Sequence, residues 1–181
     1  MSERVLIAFA TRYGSTKEVA EKIGQLLIQN GFDVDILPCK KVEKIESYQF
    51  IVIGAPFYIG RMLKEANNFL LKNQDILSRK PAVFFALGPI GGTEKELTET
   101  QNQLENELQQ FPWFRPISTA MFGGKYEPDK LNFLDKLLTK PPASPLQNLA
   151  ANDARNWDDI NNWAEKLSST LLSAEIPSVD R

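Results

Sequence analysis

The feature that most constrains this chain is an alternation of short apolar runs with longer amphipathic stretches. Arg4–Phe9, Phe32–Leu37, Gln49–Gly54, Pro81–Leu87 and Ile117–Phe122 are each short enough for a strand and largely apolar. A strand that is apolar on both faces must be covered on both, which is the pattern of a parallel sheet between layers of helices. The intervening stretches carry helical spacing. In Ser15–Asn30, Val19, Ile23, Leu26 and Leu27 recur at intervals of three and four, and Gly31 stands where a C-cap belongs. Further helices are predicted at Lys64–Lys72, at Glu94–Gln110 with its thin stripe Leu97, Leu104 and Leu108, and at Asp158–Leu172. The buried face of that last helix is set by Ile160, Trp163, Ala164, Leu167 and Leu171. The sum is an α/β fold, a doubly wound five-stranded parallel sheet, with ligands expected beyond the carboxyl ends of its strands.

The length of 181 residues fits one domain, expected over residues 1–174 with a loose tail at 175–181. The exception to the alternation is an insert, residues 123–156, and a connection that long usually has a function or lacks order. Histidine is absent, which removes Ser-His-Asp and Cys-His catalysis and every His-based metal site. Cys39 is the one cysteine, so thiolate metal clusters are excluded as well, and no metal site is expected. Redox chemistry, if present, must then be carried by an organic cofactor. A formal net charge of −2 without a dense basic cluster gives no footprint for nucleic acid. No apolar run approaches the ~20 residues of a transmembrane helix, and Met1-Ser2-Glu3-Arg4 lacks a signal-peptide layout, so a cytoplasmic protein is expected.

The strongest local signal is Ala10-Thr11-Arg12-Tyr13-Gly14-Ser15-Thr16, set between a strand and a helix. There a phosphate can accept backbone N–H bonds from the first helical turn, aided by the helix dipole. Thr11, Ser15 and Thr16 add hydroxyls, and Gly14 lets the main chain close around the oxygens. No Lys follows the glycine as in Walker A, which disfavours a nucleoside triphosphate and fits a terminal monophosphate. The competing reading is a capped helix whose Ser15 or Thr16 satisfies only its own N–H groups. A receiver domain of the same topology would need an aspartate at the end of the third strand, where Gly54-Ala55-Pro56 has none.

Thr11-x-x-Gly14-x-Thr16 resembles the FMN phosphate loop of flavodoxins. Gly54-Ala55-Pro56-Phe57-Tyr58-Ile59-Gly60 resembles their second loop, where an aromatic stacks on the isoalloxazine, and Gly88-Pro89-Ile90-Gly91-Gly92 stands in the place of the third. The resemblance implies a flavodoxin-like fold with strand order 2-1-3-4-5, and FMN as cofactor. It further implies that Thr11, Arg12, Tyr13, Gly14, Ser15 and Thr16 hold the phosphate. Ala55, Pro56, Phe57, Tyr58, Ile59 and Gly60, with Gly88, Pro89, Ile90, Gly91 and Gly92, would embrace the ring. Tyr58 and Phe57 are the aromatics placed to stack, one of them being expected in the core. The third loop lacks the acidic and aromatic residues typical of small electron-carrier flavodoxins.

Those carriers are also strongly acidic, whereas Arg12, Arg61, Lys64 and Lys125 all fall near the predicted cofactor edge. Positive charge there favours reduced, anionic FMN and attracts carboxylated substrates. Phe122-Gly123-Gly124-Lys125-Tyr126 through Asp135-Lys136-Leu137-Leu138, closed by Asn156-Trp157-Asp158, is similar to the insert of the flavodoxin-type, quinone-linked protoporphyrinogen dehydrogenases. This implies an FMN-dependent oxidoreductase acting on an anionic tetrapyrrole in heme biosynthesis, with a quinone or a protein redox partner. Arg61, Lys125 and Tyr126 are the substrate-side candidates, and no catalytic acid or base is expected. A one-electron carrier and an NAD(P)H- or quinone-handling flavin reductase are the alternatives. Leu131, Leu134 and Leu138, beside Phe133 and Leu137, form an apolar stripe before the break Lys140-Pro141-Pro142-Ala143-Ser144-Pro145. It is expected to pack on the core, the alternative being a quinone, partner or peripheral membrane contact. Deleting part of Lys125–Pro145 is expected to spare FMN binding and reduce turnover.

Overall fold

The computed structural model describes residues 3–139, 141 and 149–173. The main sheet is built from β1 (Arg4–Phe9), β2 (Asp33–Pro38), β3 (Phe50–Tyr58), β5 (Ala82–Leu87) and β6 (Ser118–Phe122), with the short β4 (Arg61–Met62) returning against the end of β3. The five long strands are parallel in the order β2-β1-β3-β5-β6. Counting only those strands, this is the expected 2-1-3-4-5 doubly wound sheet.

Each central strand is apolar throughout because alternate residues serve two cores. Val5, Ile7 and Phe9 face one layer, where α1 (Ser15–Gln29) contributes Val19, Ile23 and Leu27 and α6 (Trp157–Ser173) contributes Ile160, Ala164 and Leu167. Leu6 and Ala8 face the other, with Ala66, Phe69 and Leu70 of α2 (Lys64–Lys72) and Leu104 and Leu108 of α4 (Glu94–Leu108). Thr93 and Glu96 close a reciprocal capping box at the start of α4, which explains why so polar a helix begins sharply there. Gly54 is required by packing: a Cβ there would run into the ring of its cross-strand partner Phe85. Cys39 is buried, and burial pushes its thiol up to about 12.

The predicted strand and helix ends agree within a residue or two, except at one place. The stretch expected as a loop from Ala55 to Arg61 is mostly strand: β3 runs on to Tyr58, and Ala55 and Pro56 pair with Ala86 and Leu87. Proline inside a central strand normally costs a ladder bond. Here the Gly54 carbonyl accepts from Ala10 N, at 2.8 Å, and β1 pairing ends at that level. Pro56 points its nitrogen to the same side two residues later, past the end of β1, where there is no ladder to interrupt. The insert also has structure: β7 (Lys125–Tyr126) pairs antiparallel with β8 (Asn152–Asp153), and α5 (Phe133–Thr139) lies between them. Phe133 and Leu137 of the expected stripe are exposed; the side chains of Leu134 and Leu138, most of Lys140–Pro145 and the tail 175–181 lie outside the described residues.

Candidate functional site

The carboxyl ends of β1, β3 and β5 bring three chain segments to one edge of the sheet, at the β1/β3 switch point where the strand order reverses. The first is Thr11–Thr16. Gly14 sits in the left-handed region at φ 94°, a conformation glycine adopts without strain, and its N–H donates to Thr11 Oγ1 at 2.9 Å. That turn aims the start of α1 at the edge, and no side chain caps the helix. Its first-turn N–H groups are therefore available to an anion instead of a cap. Ser15 and Thr16 are buried, and the Thr16 Oγ1 has no hydrogen-bond partner in the protein. A buried hydroxyl without a partner is costly, about 1–3 kcal/mol, unless a ligand completes it. The competing reading of Ser15 and Thr16 as self-capping residues therefore fails.

The second segment separates the two aromatics. Phe57 is 3% exposed and belongs to the core, whereas Tyr58 is 38% exposed at the end of β3. Ile59 and Gly60 form the tight turn to β4, both at positive φ (49° and 73°), and Ile59 is fully exposed at its tip. Positive φ at both central residues is the hairpin turn that matches strand twist, but for a β-branched residue it is strained. Tyr58 stands near Arg12, Tyr13 and Asp135; burial raises its phenol pKa, and the Arg12 charge partly opposes that rise.

The third segment, Gly88–Gly92, is held from both sides. Gly88 N donates to the Phe122 carbonyl at 2.9 Å, and Gly124 N donates to that of Pro89 at 2.8 Å. The Asn152 side chain donates to the Ile90 carbonyl at 2.6 Å. A Cβ on Gly92 would press on Ala154, and one on Gly123 would meet the Ala154 carbonyl, so glycine at both positions permits this close seating.

Two of the expected free cations are neutralised. Arg12 pairs with Asp135 of α5 at 2.5 Å, and Tyr13 donates its hydroxyl to the other oxygen of the same carboxylate. Burial, with that hydrogen bond, raises the Tyr13 phenol pKa. Lys125 lies 3.2 Å from Glu127 and 3.8 Å from Glu18, and Tyr126 is buried. Arg61 and Lys64 stay exposed, with no carboxylate partner among the described residues. Sequence reasoning overlooked Asp135, Asn152 and Arg155. They are ordinary polar residues in the insert, and only their folded positions reveal that they reach the segments at this edge of the sheet.

The flavodoxin-domain family model matches residues 6–144, most of the chain. The chain belongs to the flavodoxin domain family. Its curated relatives include the quinone-dependent protoporphyrinogen IX dehydrogenase of Escherichia coli K12, 24% identical over 91% of this chain and 94% of that protein. Among solved structures, an archaeal flavodoxin superposes with TM-score 0.56 at 11% identity, over 93% of this chain and 99% of that one. Oxidised flavodoxin 1 from Bacillus cereus gives TM-score 0.57 at 13% identity, over 96% and 99% respectively.

Within this flavodoxin domain the residues present fit FMN. An uncapped helix start, a left-handed glycine and an orphaned buried hydroxyl suit its phosphate, and the half-exposed Tyr58 beside a glycine-rich loop suits its ring. FMN is the cofactor that membership of the flavodoxin domain family indicates.

Proposed function

We propose that this flavodoxin-domain protein is an FMN-dependent oxidoreductase that takes electrons from an anionic tetrapyrrole of the protoporphyrinogen type and delivers them to a quinone. The observation that carries the reading is the docking of the insert onto the cofactor loops, through Asp135 to Arg12 and Tyr13 and through Asn152 to Ile90. An electron carrier needs only a scaffold and an accessible flavin edge. An added element seated on the loops that frame the flavin reshapes the space where a substrate would lie. The E. coli dehydrogenase matches over 91% of this chain, too much to leave the whole of residues 123–156 outside the similarity.

FMN, when bound, supplies the redox chemistry, and the chain's own residues bind and orient. Ser15, Thr16 and the first-turn N–H groups of α1 would hold the phosphate, Thr11 supports Gly14, and Tyr58 and Gly88–Gly92 would hold the ring. Arg61 and Lys64 supply exposed positive charge that draws a carboxylated substrate. For each pair of electrons, and the pair of protons that leaves the tetrapyrrole with them, one quinone becomes one quinol, so complete oxidation to the porphyrin consumes several quinones in turn.

The test is an anaerobic assay of FMN-loaded protein with protoporphyrinogen IX and a soluble quinone, following porphyrin fluorescence. Porphyrin formation that requires both FMN and quinone supports the proposal. Flavin reduction by NAD(P)H, with no response to porphyrinogen, would replace it with a reductase. Reduction only through protein redox partners would replace it with a carrier.

A further inference from the structure

Behind the phosphate loop lies a buried cation that the redox reading does not use. The Arg155 side chain is 2% exposed and makes a two-pronged pair with Asp153, Nε to Oδ1 at 2.8 Å and Nη2 to Oδ2 at 2.6 Å. Its Nη1 bonds Glu18 Oε2 at 2.8 Å and donates to the Ser15 carbonyl at 3.3 Å. The guanidinium also stacks on Trp157, 4.7 Å from the ring centroid. Every part of this fork is engaged, and two of its contacts lie in the first turn of α1.

We propose that Arg155 is a positioning residue for the phosphate of FMN, acting through the Ser15–Thr16 peptide and Glu18. The Ser15 carbonyl shares its peptide with the Thr16 N–H, one of the groups that face the phosphate. A charged donor on that carbonyl polarises the peptide and strengthens its N–H as a donor. Glu18 is the acid of the first turn, favourable to an empty helix start but repulsive to an incoming phosphate. Arg155 at 2.8 Å, with Lys125 at 3.8 Å, neutralises it. The same return segment holds the third loop through Asn152, so on this proposal the end of the insert beyond Pro145 takes part in cofactor retention.

The inference rests on the FMN reading, and the two fail differently. Binding of FMN and of riboflavin, which lacks the phosphate, is measured by flavin fluorescence quenching for the wild type, Arg155→Met, Arg155→Lys and Asn152→Ala. The proposal predicts that Arg155→Met weakens FMN about tenfold while riboflavin changes less than about twofold. Arg155→Lys recovers part of the loss, and adding Glu18→Gln to Arg155→Met recovers part of it as well. Asn152→Ala weakens both flavins alike. Far-UV circular dichroism checks folding. If Arg155→Met does not fold, Asp153→Asn, which loosens the guanidinium from the surface side, is read in its place and should lower the FMN-to-riboflavin ratio in the same sense. An unchanged ratio in the folded variant overturns the positioning role. A wild type that binds neither flavin overturns the FMN reading itself, and this inference with it.

Discussion

At the scale of single residues, the site is defined by groups that make no sense as parts of an empty protein. Thr16 is fully buried with its hydroxyl unpartnered, and Gly14 holds a left-handed turn that opens the helix start without capping it. Replacing Thr16 by Val keeps the shape and removes the orphan, so the flavin-free protein should gain up to about 1 kcal/mol while FMN affinity falls about tenfold or more. Thermal unfolding and FMN titration read the two effects, and loss of both stability and affinity would mean that Thr16 is structural only. Tyr58→Leu removes the half-exposed ring and should weaken FMN by about 1 kcal/mol, with the flavin's visible spectrum shifting toward that of free FMN. An unchanged spectrum and affinity would place the stacking elsewhere. The strand, glycine turn and helix start around Gly14 were legible because they lie within a few consecutive residues. The choice between Phe57 and Tyr58 was not, since it depends on how far β3 continues beyond Gly54. Pro56 reads as a strand breaker until the end of β1 is located beside it.

At the scale of elements, the strands were readable because burial on both faces leaves continuous apolar runs, and α1 and α6 because each has one wide apolar stripe. The insert was legible only as a long irregular connection. Its fixing points are polar contacts between residues far apart in the chain, Arg12 with Asp135 and Glu18 with Arg155, and no local periodicity encodes those. This electrostatic attachment has a pH signature. Hydrogen bonds from Arg155 hold the Asp153 carboxyl below its usual range; burial disfavours the Arg155 cation, but its bonds to Asp153 and Glu18 prevail and raise its pKa. A carboxylate with a depressed native pKa stabilises the fold above its unfolded value, and the contribution is lost as pH falls through the native one. Amide exchange at Ala154, whose N–H bonds the Gly124 carbonyl at 2.9 Å, should therefore stay protected from neutral pH down to the ordinary aspartate range and speed up below it. Loss of protection on raising the pH toward neutrality would show that the segment is held by something else.

At the scale of the whole molecule, a doubly wound sheet supplies the edge where β1, β3 and β5 end, and the insert turns that edge from an open rim into a framed site. The Thr11–Thr16 loop and the start of α1 are tied to the insert by Asp135 and Arg155 and the Gly88–Gly92 loop by Asn152, and Arg61 and Lys64 are exposed. Among the described residues no helix is long and apolar enough to cross a membrane. The central claim is that electrons pass from a tetrapyrrole through this site to a quinone. Its most direct test is the visible absorption of FMN-loaded protein, held without oxygen, as protoporphyrinogen IX and then a quinone are added in turn. The account predicts that the flavin band bleaches with the first addition and returns with the second. A bound flavin that stays oxidised in the presence of protoporphyrinogen would contradict it.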